Sequence, residues 1–219
     1  MAEDKSLKVF FDALILAGGR GSRLEGVDKA ALLLENERLV DRVIAATRRA
    51  GVSQVVIVGP TDAGAHADLV VREEPPFSGP LAAVGRGIEE IEAPWVMLLA
   101  CDLQHPDQVV DQLLSALLNV SKSQQSGVSH QKIQGVVLSD ESGNRQWLAS
   151  CINTAVLRDA LDSVLREKGS LDGGSLAAVF GHIEFFSAVA HPGSTQDIDT
   201  PEQLAHAQQQ IERKEDHEQ

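Results

Sequence analysis

Between Phe10 and Leu118, short β-branched runs alternate with longer stretches of helical spacing, and this alternation limits the possible folds more than any other feature of the chain. Phe10 to Leu16 reads as a buried strand. Leu39 to Ala50 has helical spacing, and Gly51 is placed to stop that helix. Gln54 to Val58 and Asp68 to Val71 read as strands, Pro80 to Ile91 as a helix with proline near its start, Trp95 to Ala100 as a strand and Pro106 to Leu118 as a helix. Strands and helices alternating in this way predict a mostly parallel sheet covered on both faces, a three-layer α/β arrangement.

The remainder is less regular. Ser121 to Gln131 is small and polar and reads as a surface loop. Gly135 to Ser139 and Trp147 to Ile152 read as strands joined by the turn signal Glu-Ser-Gly-Asn, and a helix is expected over Ala155 to Arg166. Thr200-Pro201-Glu202-Gln203 has the layout of a helix start, with threonine as cap, proline first and glutamine three residues after the cap. One domain is expected over 1–212, with a charged tail at 213–219.

Composition narrows the classes of function. The chain has 219 residues and a formal net charge of −13, which argues against nucleic acid as a partner. No apolar run approaches the roughly 20 residues that span a bilayer, so no membrane role is expected. The charged start, Met1-Ala-Glu-Asp-Lys, lacks the layout of a secretion signal, and a cytoplasmic location is the expectation. Cys101 and Cys151 fall in apolar runs and read as buried, unreactive thiols. The seven histidines make no metal-binding pair, so zinc is not expected.

An anionic substrate would need a local cluster of cations to overcome the overall charge. One lies directly after the first strand, in Leu16-Ala-Gly-Gly-Arg-Gly-Ser-Arg-Leu-Glu-Gly-Val-Asp-Lys29. Gly18, Gly19 and Gly21 let backbone N–H groups approach a ligand, and Arg20, Arg23 and Lys29 add positive charge. Donors and cations together suit a triphosphate. The segment is not a P-loop, because Asp28-Lys29-Ala30 does not supply Gly-Lys-Ser/Thr. Nor is it a dinucleotide fingerprint, because Leu24 stands where the third small residue belongs.

The pattern Leu-Ala-Gly-Gly-x(4)-Arg-Leu-x(3)-Asp-Lys-x(2)-Leu resembles the signature of the molybdenum cofactor guanylyltransferase family, within the wider nucleotide-sugar type of nucleotidyltransferases. That family usually has methionine where Leu24 stands. The resemblance implies a Rossmann-like fold, with Leu16, Ala17, Gly18 and Gly19 contacting the nucleotide and Arg23 and Lys29 clasping its phosphates. Val71-Arg-Glu-Glu-Pro75 followed by Gly79-Pro80-Leu81-Ala82 resembles the family's second signature. There Glu74 would meet the base or ribose, and Gly79 opens a helix whose N–H groups could face an anion or the guanine edge.

Trp95-Val-Met-Leu-Leu-Ala-Cys-Asp102 is an apolar strand that ends in a carboxylate. Packing explains that carboxylate poorly, whereas Mg²⁺ coordination or a helix cap before Pro106 explains it well. In the family the matching aspartate is the metal ligand. Asp197-Ile-Asp199-Thr-Pro-Glu-Gln-Leu resembles the closing motif Asn-x-Asn-Thr-Pro-Glu-Asp/Glu-Leu, and makes Asp197 or Asp199 a second candidate ligand, with helix capping as the alternative role. Arg145-Gln146-Trp147-Leu148 falls where the family lines its pterin pocket, although a simple core tryptophan fits Trp147 better.

The resemblance implies Mg²⁺-dependent transfer of GMP from GTP to the terminal phosphate of molybdopterin, the molybdenum cofactor, with release of pyrophosphate. Residues 7–118 would serve the nucleotide and 132–212 the acceptor, and a molybdoenzyme or its chaperone would be a further partner. Related cytidylyl or sugar-phosphate transferases remain alternatives, as does a catalytically silent adaptor. Leu16-Ala-Gly-Gly19 favours GTP, because the CTP enzymes usually read Leu-Ala-Ala-Gly.

Overall fold

A computed structural model of the chain describes residues 9–18, 32–64, 66–125, 132–198 and 200–215. Its first strand, β1 (Phe11–Leu16), is buried along its whole length, as a strand that is apolar apart from Asp12 must be when a core lies on each face. A short hairpin, β2 (Leu33–Leu34) with β3 (Glu37–Arg38), leads into α1 (Leu39–Arg49). Gly51 ends that helix at φ 82°, a left-handed conformation that glycine adopts without steric cost. Then follow β4 (Val55–Val58), β5 (Leu69–Val71), α2 (Pro80–Ile88), β6 (Trp95–Ala100) and α3 (Pro106–Gln125). The later part comprises β7 (Gly135–Ser139), β8 (Arg145–Asn153), α4 (Thr154–Lys168), α5 (Leu176–Phe180), β9 (Phe185–Val189) and α6 (Pro201–Glu215).

Seven strands form one sheet in the order β5-β4-β1-β6-β8-β7-β9. The β1–β4, β1–β6, β4–β5 and β7–β9 pairs are parallel, and β8 runs antiparallel to both β6 and β7. Alternate strand residues feed two cores. Ala13, Ile15, Ile57, Met97 and Leu99 pack with α1 and α3 on one face. Leu14, Leu16, Val56, Val58 and Leu98 pack with α2, α4 and α5 on the other. This is the expected three-layer, Rossmann-like α/β arrangement. Contact between α2 and the sheet is close: a Cβ at Gly87 would come within 2.3 Å of Leu14 Cδ1. Asp12, 2% exposed at the start of β1, accepts the N–H groups of Glu92 and Ala93 at 3.0 and 2.9 Å. Its charge is thereby compensated, and the connection into β6 is tied to β1.

The chain runs from β1 to β4 and β5 on one side, then returns through α2 to β6 on the other. Connections leave β1 and β6 in opposite directions, so a crevice opens beyond their carboxyl ends, where open parallel sheets bind ligands. Among the described residues, no helix is long and apolar enough to cross a membrane.

Two expectations change. The polar stretch from Ser121 was read as loop, but α3 continues through Gln125. Serine, lysine and glutamine are tolerated on an exposed helix face, and no glycine or proline interrupts the helix before that point. Residues 126–131 lie outside the described set. Three further elements are not expected from the sequence pattern: the β2–β3 hairpin, α5 and β9.

Candidate active site

The crevice holds a cavity of about 380 Å³. Leu16 and Gly18 line it from the end of β1, and Ala100, Cys101 and Asp102 from the end of β6. The two strand ends are joined by the Cys101 N–H, which donates to the Leu16 carbonyl at 3.1 Å. Ala17 is 2% exposed, with its N–H donating to the Val58 carbonyl at 2.8 Å. It therefore anchors the start of the glycine-rich segment to β4 rather than lining the cavity. Gly19, Arg20, Gly21, Arg23, Lys29 and Asp199 lie outside the described residues.

Asp102 is 5% exposed. Helix α3 begins at Pro106, which puts His105, not Asp102, immediately before it. The backbone on either side of Leu103 is paired to a distant segment. The Ile198 N–H donates to the Asp102 carbonyl at 3.0 Å, and the Gln104 N–H donates to the Gln196 carbonyl at 3.0 Å. Leu103 and Asp197 form the intervening antiparallel bridge. This pairing brings Asp197 into the cavity lining with Asp102, although they are far apart in sequence.

A third carboxylate comes from the segment after β5. It is Glu73, 7% exposed, and not the expected Glu74. Glu74 is exposed and lines the adjoining hollow between α2 and α4 with Arg86 and Arg158, a hollow that Glu73 also borders. The alternation of buried and exposed residues continued past the end of β5 explains the difference. Val71 and Glu73 turn inward, while Arg72 and Glu74 turn to solvent. Counting alternate residues onward from Val71 would have found Glu73. Its Oε1 accepts the Phe77 N–H at 2.9 Å, which ties down the loop leading to Gly79.

Gly79 is the cap residue of α2, at φ 99°, and a side chain there would be strained. Gly79, Pro80 and Ala83 line the cavity, so the positive end of the α2 dipole borders it. Leu148 of β8 completes the wall. Trp147 packs instead against Phe180 and Phe185, with ring centroids 5.6 Å away in each case. It is partly buried and packs against the core on the α2, α4 and α5 face.

Glu73, Asp102 and Asp197 give the cavity an acidic lining, and among its described residues none is basic. Among the described residues no group of three or more His, Cys, Asp or Glu side chains is arranged to hold a metal ion. Two neighbouring carboxylates nevertheless suit Mg²⁺, which commonly takes one or two from protein and completes its shell with water and substrate phosphates.

The model of the MobA-like NTP transferase domain matches residues 13–178. The chain belongs to this family. Relatives of this MobA-like chain include the molybdenum cofactor guanylyltransferase of Pseudomonas putida strain GB-1, 40% identical over 116 residues, 52% of this chain and 59% of that protein. That of Bordetella petrii is 33% identical over 117 residues, 50% of this chain and 58% of its own length. The chain thus spans less than two thirds of the curated relatives it matches.

Among solved structures, a nucleotidyl transferase from Methanothermobacter thermautotroptrophicus superposes with a TM-score of 0.67 at 18% identity, covering 94% of this chain and 99% of that one. Molybdopterin-guanine dinucleotide biosynthesis protein A from Archaeoglobus fulgidus gives 0.65 at 15% identity, over 92% of this chain and 99% of that one. The 2-C-methyl-D-erythritol 4-phosphate cytidylyltransferase of Thermus thermophilus gives 0.63 at 18% identity, over 93% of this chain and 100% of that one. At these identities the structural likenesses establish the MobA-like fold alone. The fold does not choose the nucleotide.

Proposed function

We propose that this MobA-like chain transfers GMP from GTP to the terminal phosphate of molybdopterin. An oxygen of the acceptor phosphate would bond to the α-phosphorus, the bond from that phosphorus to the bridging oxygen would break, and pyrophosphate would leave with the electron pair. An acceptor phosphate is already ionised near neutral pH, so the reaction needs no dedicated base. The main obstacle is repulsion between anions, and alignment with charge neutralisation is the remedy.

The observation that carries the reading is one cavity lined by the start of the glycine-rich segment, by the opening of α2 and by Asp102 with Asp197. An acidic lining disfavours a bare triphosphate and favours one that arrives with cations. Asp102 and Asp197 are the proposed holders of Mg²⁺, with Asp199 a further candidate. When bound, Mg²⁺ would supply positive charge between the phosphates. Arg20, Arg23 and Lys29 are proposed to neutralise the triphosphate together with the backbone N–H groups of Gly19 and Gly21. Glu73 takes over the base or ribose contact expected of Glu74. Residues 7–118 would hold the nucleotide and 132–212 the acceptor, with the product passed in the cytoplasm to a molybdoenzyme or its chaperone.

The test offers each nucleoside triphosphate to the purified chain with MgCl₂ and a molybdopterin source, and reads the dinucleotide product by mass spectrometry. The expected products are the guanine dinucleotide and pyrophosphate. Lys29→Ala should lower turnover about 10²- to 10³-fold, the scale of losing one transition-state donor. Equal or better use of CTP would overturn the guanylyl assignment, and no product with any triphosphate would overturn the transferase reading.

A further inference from the structure

Phe77 combines two unfavourable features at the wall of the cavity. Its side chain is 48% exposed, and it belongs to none of the three hydrophobic clusters formed by the described residues. Its backbone also has φ 66°, in the left-handed region that a bulky side chain normally avoids. Neither feature contributes to packing, and sparsely populated backbone held in place by its surroundings concentrates at ligand sites.

The surroundings hold Phe77 firmly. Its N–H donates to Glu73 Oε1 at 2.9 Å. The Arg72 guanidinium lies over its ring, 5.1 Å from the centroid. The next residue is tied twice: Ser78 Oγ donates to the Pro75 carbonyl at 2.7 Å, and the Ser78 carbonyl accepts the Gly173 N–H at 2.7 Å. The loop is therefore fixed from β5, from within and from the segment ahead of α5. It presents an aromatic ring to the cavity shared by Gly18, Glu73 and Gly79.

We propose that Phe77 is the stacking wall for the purine ring of the nucleotide, and so a specificity-determining residue of this site. The inference rests on the nucleotidyltransferase reading above. A flat apolar ring offers its face to a heterocycle, and the carboxylate hydrogen-bonded to the same residue suits the adjacent N–H donors on a guanine edge. The pterin is the other flat ring of the reaction. The base is favoured because Phe77 lines the same cavity as Gly79 and as Leu16 and Gly18, where the glycine-rich segment begins.

Binding to the full-length chain tests this, using calorimetry with Mg-GTP and, separately, with Mg-tripolyphosphate, which has no base. Replacing a stacking aromatic should weaken Mg-GTP binding by about tenfold or more in both F77G and F77L, with tripolyphosphate binding unchanged. F77W should keep wild-type affinity and add quenching of indole fluorescence by GTP beyond that of the wild type. F77G should also hold or raise the midpoint of thermal unfolding, because glycine relieves the left-handed backbone.

Wild-type GTP affinity in F77G and F77L overturns the proposal. Equal losses for GTP and tripolyphosphate, with a lower unfolding midpoint, assign the ring to loop structure and overturn it too. Unchanged GTP binding with a raised KM for the acceptor assigns the ring to the pterin and overturns it likewise. A wild-type chain that binds no nucleoside triphosphate overturns the nucleotidyltransferase reading itself, and this inference with it.

Discussion

Asp102 and Glu73 are carboxylates only 5% and 7% exposed, each placed just after an otherwise apolar strand. Burying such groups is unfavourable unless hydrogen bonds or a cation compensate them. For Asp102 the proposed cation supplies a measurable consequence. Asp102→Asn keeps the shape and removes the charge, so Mg²⁺-dependent turnover should fall by roughly 10²-fold or more while the ligand-free unfolding midpoint holds or rises. Wild-type turnover at the same Mg²⁺ concentration would remove Asp102 from the reaction. This residue was legible in the sequence because a charged group closing an apolar strand has few packing explanations. The choice between Glu73 and Glu74 lies in the alternation alone: counting on from buried Val71 selects Glu73, whereas residue type does not distinguish the two. Cys151 fits the reading of an inert thiol: burial pushes it up to about 12, well above its ordinary range.

The β7–β8 hairpin turns on one side chain. Asp140 accepts the N–H groups of Ser142 and Asn144 at 2.9 and 2.8 Å, Asn144 Nδ2 at 3.0 Å and Gln146 Nε2 at 3.2 Å. These donors, led by the Asn144 side chain, hold its pKa below the ordinary value of 3.8. A carboxylate lowered on folding adds stability that is present above its unfolded pKa and lost as the pH falls through the folded one. Denaturant midpoints measured from neutral pH down into the acid range should therefore show a shallower loss below pH 3.8 in Asp140→Ala than in the wild type. Identical acid limbs would contradict this. The turn itself was readable from Glu141-Ser-Gly-Asn144, because Gly143 at φ 83° fills a place that favours glycine. The start of α6 was readable too: Thr200 Oγ1 accepts the Gln203 N–H at 3.2 Å, and Gln203 Oε1 accepts the Thr200 N–H at 2.9 Å. By contrast α5 has five residues and β9 five, too few for periodicity to declare them, and β9 is an edge strand whose mostly apolar residues are largely exposed.

Across the whole molecule, the alternation of strands and helices foretold the layers but not the strand order. Nothing local in Trp147 to Ile152 says that this strand lies between β6 and β7 and runs against both. Pairing partners are set by long-range packing. The same holds for the third hydrophobic cluster, where Leu34, Leu39, Ile198 and Ala207 bring together the β2–β3 hairpin, the start of α1, the closing segment and α6. Ile198 is 1% exposed, so Ile198→Ala should cost about 2–5 kcal/mol in denaturant unfolding. Its N–H is also bonded to Asp102, and turnover should drop even where the variant remains folded. Full activity in a folded variant would show that Asp197 does not depend on this anchorage.

The bridge between Leu103 and Asp197 has a consequence for how the site is assembled. A polypeptide emerges from the ribosome in order, and its earlier part can begin folding first. A nascent chain that ends before Gln196 already contains Leu16, Glu73, Gly79 and Asp102, yet it lacks one of the three carboxylates among the cavity's described residues and both hydrogen bonds that secure the backbone around Leu103. Nucleotide could be recognised before Gln196 to Ile198 are made, but on the proposed chemistry it could not be spent, because the last stitch of the site waits for that later segment.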